Sequence, residues 1–336
     1  MKNRNLPGVS IVIPVRNEEK YIKECLMSMY RQKYDKNKLE ILIIDGLSSD
    51  ATLKIINSIA EKKIKTRILV NPEKNTAISL NLGITEAIHK IIMRADARSS
   101  FENNYISKCV NAMEKSGADN VGGLIRPVWR NILQKAIGIG TTSIFGVGNS
   151  AFRTGCDSGF VKTVFPGFFR KTALNKVKGF RVVPGYFSED SDINERIIKA
   201  GGKVFLDKNI EVFYYPRENI IELAKQYYRY GRIRISTSLK KGRVASLRYL
   251  VPPLALAGSV ILLLLGIFIN SAYLLVFSVA FFLYLACLVA FSAGLAIKNR
   301  HFPSFLLLII VFPVIHISWA SGFILGMFSW SKINYW

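Results

Sequence analysis

The chain is short of cysteine, histidine and acid. Its 336 residues hold four cysteines, three histidines and 23 Asp+Glu against 46 Lys+Arg. Cys25, Cys109, Cys156 and Cys287 lie far apart and form no C-x-x-C pair, which argues against a disulfide framework and for a reduced, cytosolic setting. Zinc-ligand spacing, a helix-turn-helix pattern and an RNA-binding signature are all missing. The shortage of acid leaves a net charge of +23, which calls for an anionic partner: nucleic acid, anionic lipid or a phosphorylated substrate. With no recognition motif and membrane-length apolar segments, no nucleic-acid partner is expected. The stretch Met1 to Gly8 is polar and basic without an apolar core, so no signal peptide is expected.

Hydrophobic residues are plentiful, at 50% of the chain, and they are unevenly spread. Residues 1–216 have the composition of a soluble domain. Residues 217–249 form a basic segment with Arg217, Lys225, Arg229, Arg232, Arg234, Lys240, Lys241, Arg243 and Arg248 among tyrosines, which reads as an interfacial helix on anionic lipid. Residues 250–336 form a membrane domain, with spans expected near 250–269, 272–297 and 302–328. Each reaches the ~20 residues needed to cross ~30 Å of hydrocarbon. Gly322 and Gly326 permit close helix contact. Lys298, Arg300 and His301 separate the second and third spans, so the positive-inside rule places residues 1–248 on the cytoplasmic face of the cell membrane. Lys332 alone speaks against this orientation.

Within the first part, Val9–Val15, Glu40–Ile44, Arg67–Val70 and Lys90–Ala95 read as short buried strands. Helical patterns alternate with them, over Tyr21–Met29, Leu53–Ile59, Thr76–His89 and Glu102–Lys115. Asn17 offers a cap to the first of these helices, with Glu18 and Glu19 in its first turn. The alternation predicts an α/β fold with a mostly parallel, doubly wound sheet. Ligands then bind beyond the strand C-termini, where Pro14-Val15, Asp45 and Asp96 converge. Val121 to Gly167 is rich in Gly, Ser and Thr and reads as loops and short strands lining a site. Ser188 caps a further helix that opens with Glu189, Asp190 and Asp192, and extended structure follows over Lys203–Leu206 and Glu211–Tyr214.

Several of these segments fall in an order that resembles a known family. They are Val9–Glu19, Asp45–Thr52, Asn75–Gly83, Arg94-Ala95-Asp96-Ala97 and Ser188-Glu189-Asp190. The pattern resembles family 2 glycosyltransferases of the GT-A fold over residues 9–215. Phe165–Lys171 and the arginine before Asp96 look most like the succinoglycan-type exopolysaccharide glucosyltransferases.

The resemblance implies an inverting hexosyltransferase that moves a sugar from a nucleotide sugar, UDP-linked by expectation, to a lipid-linked saccharide acceptor. Pro14, Val15, Asn17, Glu18 and Asp45 would face the base and ribose, although an Asp-Gly turn and helix capping also explain Asp45, Asn17 and Glu18. Asp190, beside Glu189, would be the base that takes the acceptor proton. The family's metal motif is Asp-x-Asp, but here the triplet is Asp96-Ala97-Arg98, and a guanidinium cannot ligate a cation. Either Asp96 binds Mg²⁺ or Mn²⁺ with the diphosphate, which is the favoured reading, or Arg98 itself meets the diphosphate, with Arg94 adding charge to either. Gln226, Arg229 and Tyr230 resemble the Gln-x-x-Arg-Trp motif on the acceptor and diphosphate side, with Tyr in place of Trp. A homo-oligomer or a biosynthetic complex fits the same picture. Two other readings stay open: a polyprenyl-phosphate sugar synthase, and a non-catalytic nucleotide-sugar-binding membrane scaffold.

Overall fold

A computed structural model describes residues 6–59, 64–182, 189–240 and 249–329. In chain order its elements begin β1 (Val9–Val15), α1 (Ile22–Tyr30), β2 (Leu39–Asp45), α2 (Thr52–Ile59), β3 (Lys65–Val70) and α3 (Thr76–Glu86). Next come β4 (Ile91–Arg94), β5 (Ser99–Phe101), α4 (Tyr105–Ser116), β6 (Asn120–Pro127), α5 (Ile132–Thr141), α6 (Ile144–Val147) and α7 (Ala151–Thr154). Then follow β7 (Gly159–Phe160), β8 (Phe168–Arg170), α8 (Lys171–Lys176), α9 (Glu189–Lys199) and β9 (Val204–Tyr214). Four helices complete the order: α10 (Ile220–Lys240), α11 (Val251–Phe268), α12 (Ala272–Lys298) and α13 (Pro303–Ser329).

These elements form two compact units. The first holds the chain up to Arg126, Ser150–Val182 and the stretch ending at Tyr215; the second holds Pro127–Asn149 and the chain from Pro216 onward.

The first unit is built on one sheet in the order β3-β2-β1-β4-β8-β6-β9-β5, with β7 added to β9. Strands β3, β2, β1 and β4 run parallel, as their alternation with helices predicts. Beyond β4 the sheet turns antiparallel, through β8 on β4, β6 on β8 and β5 on β9. The unbroken apolar runs of β1 and β2 are explained by burial on both faces. Alternate residues serve opposite sides. Ile11, Ile13, Ile41 and Ile43 pack with Ile22, Leu26 and Met29 of α1, whereas Val12, Leu42 and Ile44 pack with Leu80 of α3, Leu174 of α8 and Ile193 of α9.

Two local expectations are corrected. Asn17 does not cap α1, which starts at Ile22 behind Tyr21 with no side-chain cap. It takes a left-handed φ of 54°, which turns it toward the loop after β2. The Gly-rich stretch after Val121 holds the short strand β6, in keeping with the reading of loops and short strands, but also the unexpected ten-residue helix α5. Asn131 starts that helix by accepting from Gln134 N at 2.8 Å, and packing offsets the poor helix propensity of Gly138 and Gly140. Gly138 lies against Pro127 and Pro216, and Gly140 against Val311.

In the second unit α13 is packed closely by α10. A Cβ on Gly231 would run into the Trp319 carbonyl, and one on Gly322 into that of Tyr228. Gly326 lies against Arg232 and Ile235. Leu223 and Tyr227 of α10 cluster with Val311 and Ile315 of α13 and with Ala136 and Ile137 of α5. Buried Gln134 donates to Pro216 O at 2.8 Å, and His316 bonds Tyr284 OH at 3.1 Å and Phe145 O at 2.8 Å. Val251–Phe268, Ala272–Lys298 and Pro303–Phe328 are each long and apolar enough to cross a membrane. Ser188, Lys241, Arg243, Arg248 and Lys332, named above, lie outside the described residues.

Candidate active site

Three parallel strands end together. Val15 pairs with Asp45 in register, and the Ala95 amide, one step past β4, donates to Val12 O at 2.9 Å. The loops that follow β1 and β2 are laced to each other. Asn17 N donates to Ser48 Oγ at 3.0 Å, and its Oδ1 accepts from Ser49 N at 2.8 Å. Glu18 N donates to Thr52 Oγ1 at 2.8 Å, while Asp50 Oδ1 caps α2 by accepting from Thr52 N at 3.0 Å. Asp45, 2% exposed, accepts from Ser48 N and, at 2.6 Å, from Ser48 Oγ. Its carboxylate is thus the cap of its own turn. Pro14 and Val15 border that turn, since Gly46 N donates to Val15 O at 2.8 Å.

At the end of β4 charges alternate in sign along the chain. Arg94, 6% exposed, donates from Nε to Asp96 Oδ1 at 2.9 Å and from Nη2 to Asp96 Oδ2 at 3.3 Å. Its Nη1 donates to Asp190 Oδ1 at 2.9 Å, joining residues 96 apart in sequence. Arg98 turns the other way. Its Nε donates to both Glu18 oxygens at 3.2 and 3.1 Å, and its guanidinium lies 4.9 Å from the Tyr21 ring centre. The residue that stands where a second metal-binding carboxylate was expected is therefore paired with an acid of the neighbouring loop.

Asp190 opens α9 beside Glu189, and Asn194, one turn later and fully buried, donates to Asp190 O at 2.7 Å. Burial pushes Asp190 up to about 6, against the lowering pull of Arg94. Burial likewise pushes Glu189 up to about 7. For Arg94, burial opposes the charge, but Asp190, Asp96 and Glu189 outweigh it and hold the pKa above the ordinary arginine value. Among the described residues no three His, Cys, Asp or Glu side chains gather as a metal cage.

Pro14, Val15, Asn17, Glu18, Asp45, Arg94, Asp96, Arg98, Glu189 and Asp190 thus all belong to the first unit. Gln226, Arg229 and Tyr230 belong to the second, on α10, where Gln226 Nε2 donates to Tyr230 OH at 2.9 Å. Sequence reading missed Asn194, for which the helical i+4 spacing from Asp190 was the available signal. It named Phe165 only as the start of the 165–171 motif, whereas the ring lies 5.5 Å from the Arg94 guanidinium.

Residues 10–172 match the Glycosyl transferase family 2 model. The chain carries a family 2 glycosyltransferase domain. This glycosyltransferase is 28% identical over 320 residues to the succinoglycan biosynthesis protein ExoA of Rhizobium meliloti, covering 93% of each chain. It is 26% identical to a dolichyl N-acetyl-α-D-glucosaminyl phosphate 3-β-D-2,3-diacetamido-2,3-dideoxy-β-D-glucuronosyltransferase of Methanococcus voltae, covering 95% of this chain and 97% of that one. Among solved structures, the mannosyltransferase PcManGT from Pyrobaculum calidifontis, in complex with GDP-Man and Mn²⁺, aligns with a TM-score of 0.60 at 15% identity. The alignment covers 96% of this glycosyltransferase and 88% of PcManGT. TarS 1-349 of S. aureus in complex with UDP-GlcNAc aligns at 0.51 with 17% identity, over 67% of this chain and 65% of that one. The fold is GT-A.

Proposed function

We propose that this glycosyltransferase is an inverting hexosyltransferase. In this reading it transfers a sugar from a nucleotide sugar, UDP-linked, to a lipid-linked saccharide at the cytoplasmic face of the cell membrane. The observation that carries the reading is the placement of Asp190 at the start of α9, joined through Arg94 to Asp96 at the strand ends where a nucleotide diphosphate binds. The Methanococcus voltae relative is named for a lipid-phosphate-linked sugar acceptor, which supports a saccharide over a bare lipid phosphate.

The chemistry follows from the residues. Asp190 uses one oxygen, Oδ1, to accept from Arg94, and Oδ2 is left to accept the acceptor hydroxyl proton. As that proton moves, the acceptor oxygen bonds to the anomeric carbon and the bond to the diphosphate breaks on the opposite face, inverting the centre. Nucleotide binding falls to the loop pair carrying Pro14, Val15, Asn17, Glu18 and Asp45, with Arg98 beside Glu18 on the diphosphate side, while Arg94 is engaged by Asp96 and Asp190. Asp96 fits a divalent cation in one way. Arg94 uses one lone pair on each of its oxygens and leaves others, so Asp96 can be the single protein ligand of Mg²⁺ or Mn²⁺ carried on the diphosphate. When bound, such an ion neutralises charge on the leaving nucleotide.

The test is a donor screen with the full-length protein in membranes, followed by mass analysis of lipid-linked products. A lengthened lipid-linked saccharide is expected; a lipid monosaccharide phosphate would redirect the assignment to a polyprenyl-phosphate sugar synthase. Asp190→Asn is expected to lower transfer by about 10² or more while nucleotide affinity holds. Equal loss of both would remove the base assignment.

A further inference from the structure

The buried Arg94 guanidinium is divided between two elements. Its Nε and Nη2 hold Asp96 just past β4, and its Nη1 holds Asp190 at the start of α9. Such a fork has fixed geometry, so the position of one carboxylate sets the position of the other. Asn194 fixes the same turn of α9 from its other side, by donating to Asp190 O and to Val164 O. Asn120 in turn donates to Asn194 Oδ1 at 2.6 Å. We infer that Arg94 is a positioning residue for transfer: it aims the Asp190 carboxylate at the acceptor hydroxyl and keeps it ionised, using Asp96 as its anchor. The inference rests on the reading of Asp190 as the base.

The charges around Asp190 make Arg94 the group that matters. Burial first, and then the Asp96 carboxylate past β4, disfavour a negative charge on Asp190, while Asp190 in turn raises Glu189 beside it on the same helix. Arg94 and, more weakly, Arg153 of α7 oppose them. Among the described residues, Arg94 is the one cationic side chain hydrogen-bonded to the Asp190 carboxylate. Removing it would leave three acids near one another with little to hold any of them ionised. A lysine would restore a charge but could not reach both Asp96 and Asp190 in the same geometry. Aim and ionisation can therefore be separated by two substitutions.

The experiment uses full-length protein in nanodiscs and measures kcat, donor-nucleotide Kd and the pH profile of kcat/KM. Arg94→Lys is expected to lower kcat at least ~10-fold through lost aim, with nucleotide Kd changed less than ~3-fold and the acidic limb nearly in place. Arg94→Gln is expected to lower kcat as well and to move the acidic limb upward by about one pH unit or more, because a neighbouring arginine ordinarily lowers a carboxylate by ~1–3 units. An unmoved limb in Arg94→Gln overturns the inference. So does a nucleotide Kd that weakens in proportion to the loss in kcat, since that marks a diphosphate ligand. If Arg94→Gln does not fold, as judged by circular dichroism, Arg94→Lys decides through its split between kcat and Kd. Asp190→Asn, run alongside, separates the two claims. If it retains transfer, the base assignment fails; if it is inactive while Arg94→Gln keeps the wild-type limb, only the role of Arg94 fails.

Discussion

At the site, burial and pairing pull Asp190 in opposite directions, and burial wins. A carboxylate ordinarily ionised above pH 4 is pushed up to about 6, with Glu189 beside it pushed up to about 7. The sign for activity follows directly. A general base works only when ionised, so transfer is at its plateau above the Asp190 pKa and is lost as pH falls through it. We expect kcat/KM to decline below about pH 6, by roughly tenfold per unit at the lower end. A pH–rate profile measured with saturating acceptor checks this, and a flat profile down to pH 4.5 would count against Asp190. Such tuning suits its task. An unperturbed aspartate would be a weak base near neutrality, and one raised much further would be protonated there. Asp45 shows the contrasting case. Its oxygens are engaged by Ser48 within its own turn, so replacing it with Ala should loosen the loop as well as weaken nucleotide binding.

Elements differ in how far their own residues declare them. Strands β1, β2 and β4 were legible because both of their faces are buried, and length and β-branching mark such runs. Of the antiparallel half only β9 was legible, its two ends read as extended over 203–206 and 211–214. Strand β8 is three residues long, and its partners, β4 and β6, lie tens of residues away. Helix α5 was hidden by its glycines, which lower propensity where close packing demands them. In the site, Asp96 and Glu189-Asp190 stood out through motif order, but a bond across 96 residues leaves no local trace. Glycine also governs α10 and α13. Since a Cβ at Gly231 would collide with the Trp319 backbone, and one at Gly322 with that of Tyr228, neither neighbour can yield by rotating a side chain. Gly231→Ala and Gly322→Ala are each expected to cost about 1–3 kcal/mol or more by forcing the helices apart. Thermal unfolding in detergent reads this. Gly258→Ala is the control, because a Cβ there meets nothing within 4 Å and should leave the midpoint unchanged.

For the whole molecule, the division into units says which parts depend on the apolar helices. A soluble domain with a separable C-terminal anchor would tolerate removal of the anchor. Here Pro127–Asn149 and α10 belong to the same unit as α11, α12 and α13. Ala136, Ile137, Leu223 and Tyr227 share a cluster with Val311 and Ile315, and Ile139 shares one with Leu288, Leu308 and Phe312. Cutting the chain after Tyr249 would remove every one of those α12 and α13 partners. It would also free the Phe145 carbonyl from His316 and uncover the backbone around Gly231. The apolar side chains so exposed lie on Pro127–Asn149 and α10, which stay in the 1–249 chain, so the damage is carried into the remaining chain and is not shed with the cut. Exposed apolar surface of this kind drives association. We therefore expect residues 1–249 to aggregate, or to need detergent, whereas the full chain in detergent or nanodiscs elutes as a single species. Size-exclusion chromatography with light scattering, together with binding of a hydrophobic dye, measures the difference. A monodisperse, dye-negative 1–249 fragment in buffer alone would show that α5 and α10 hold their places without α13.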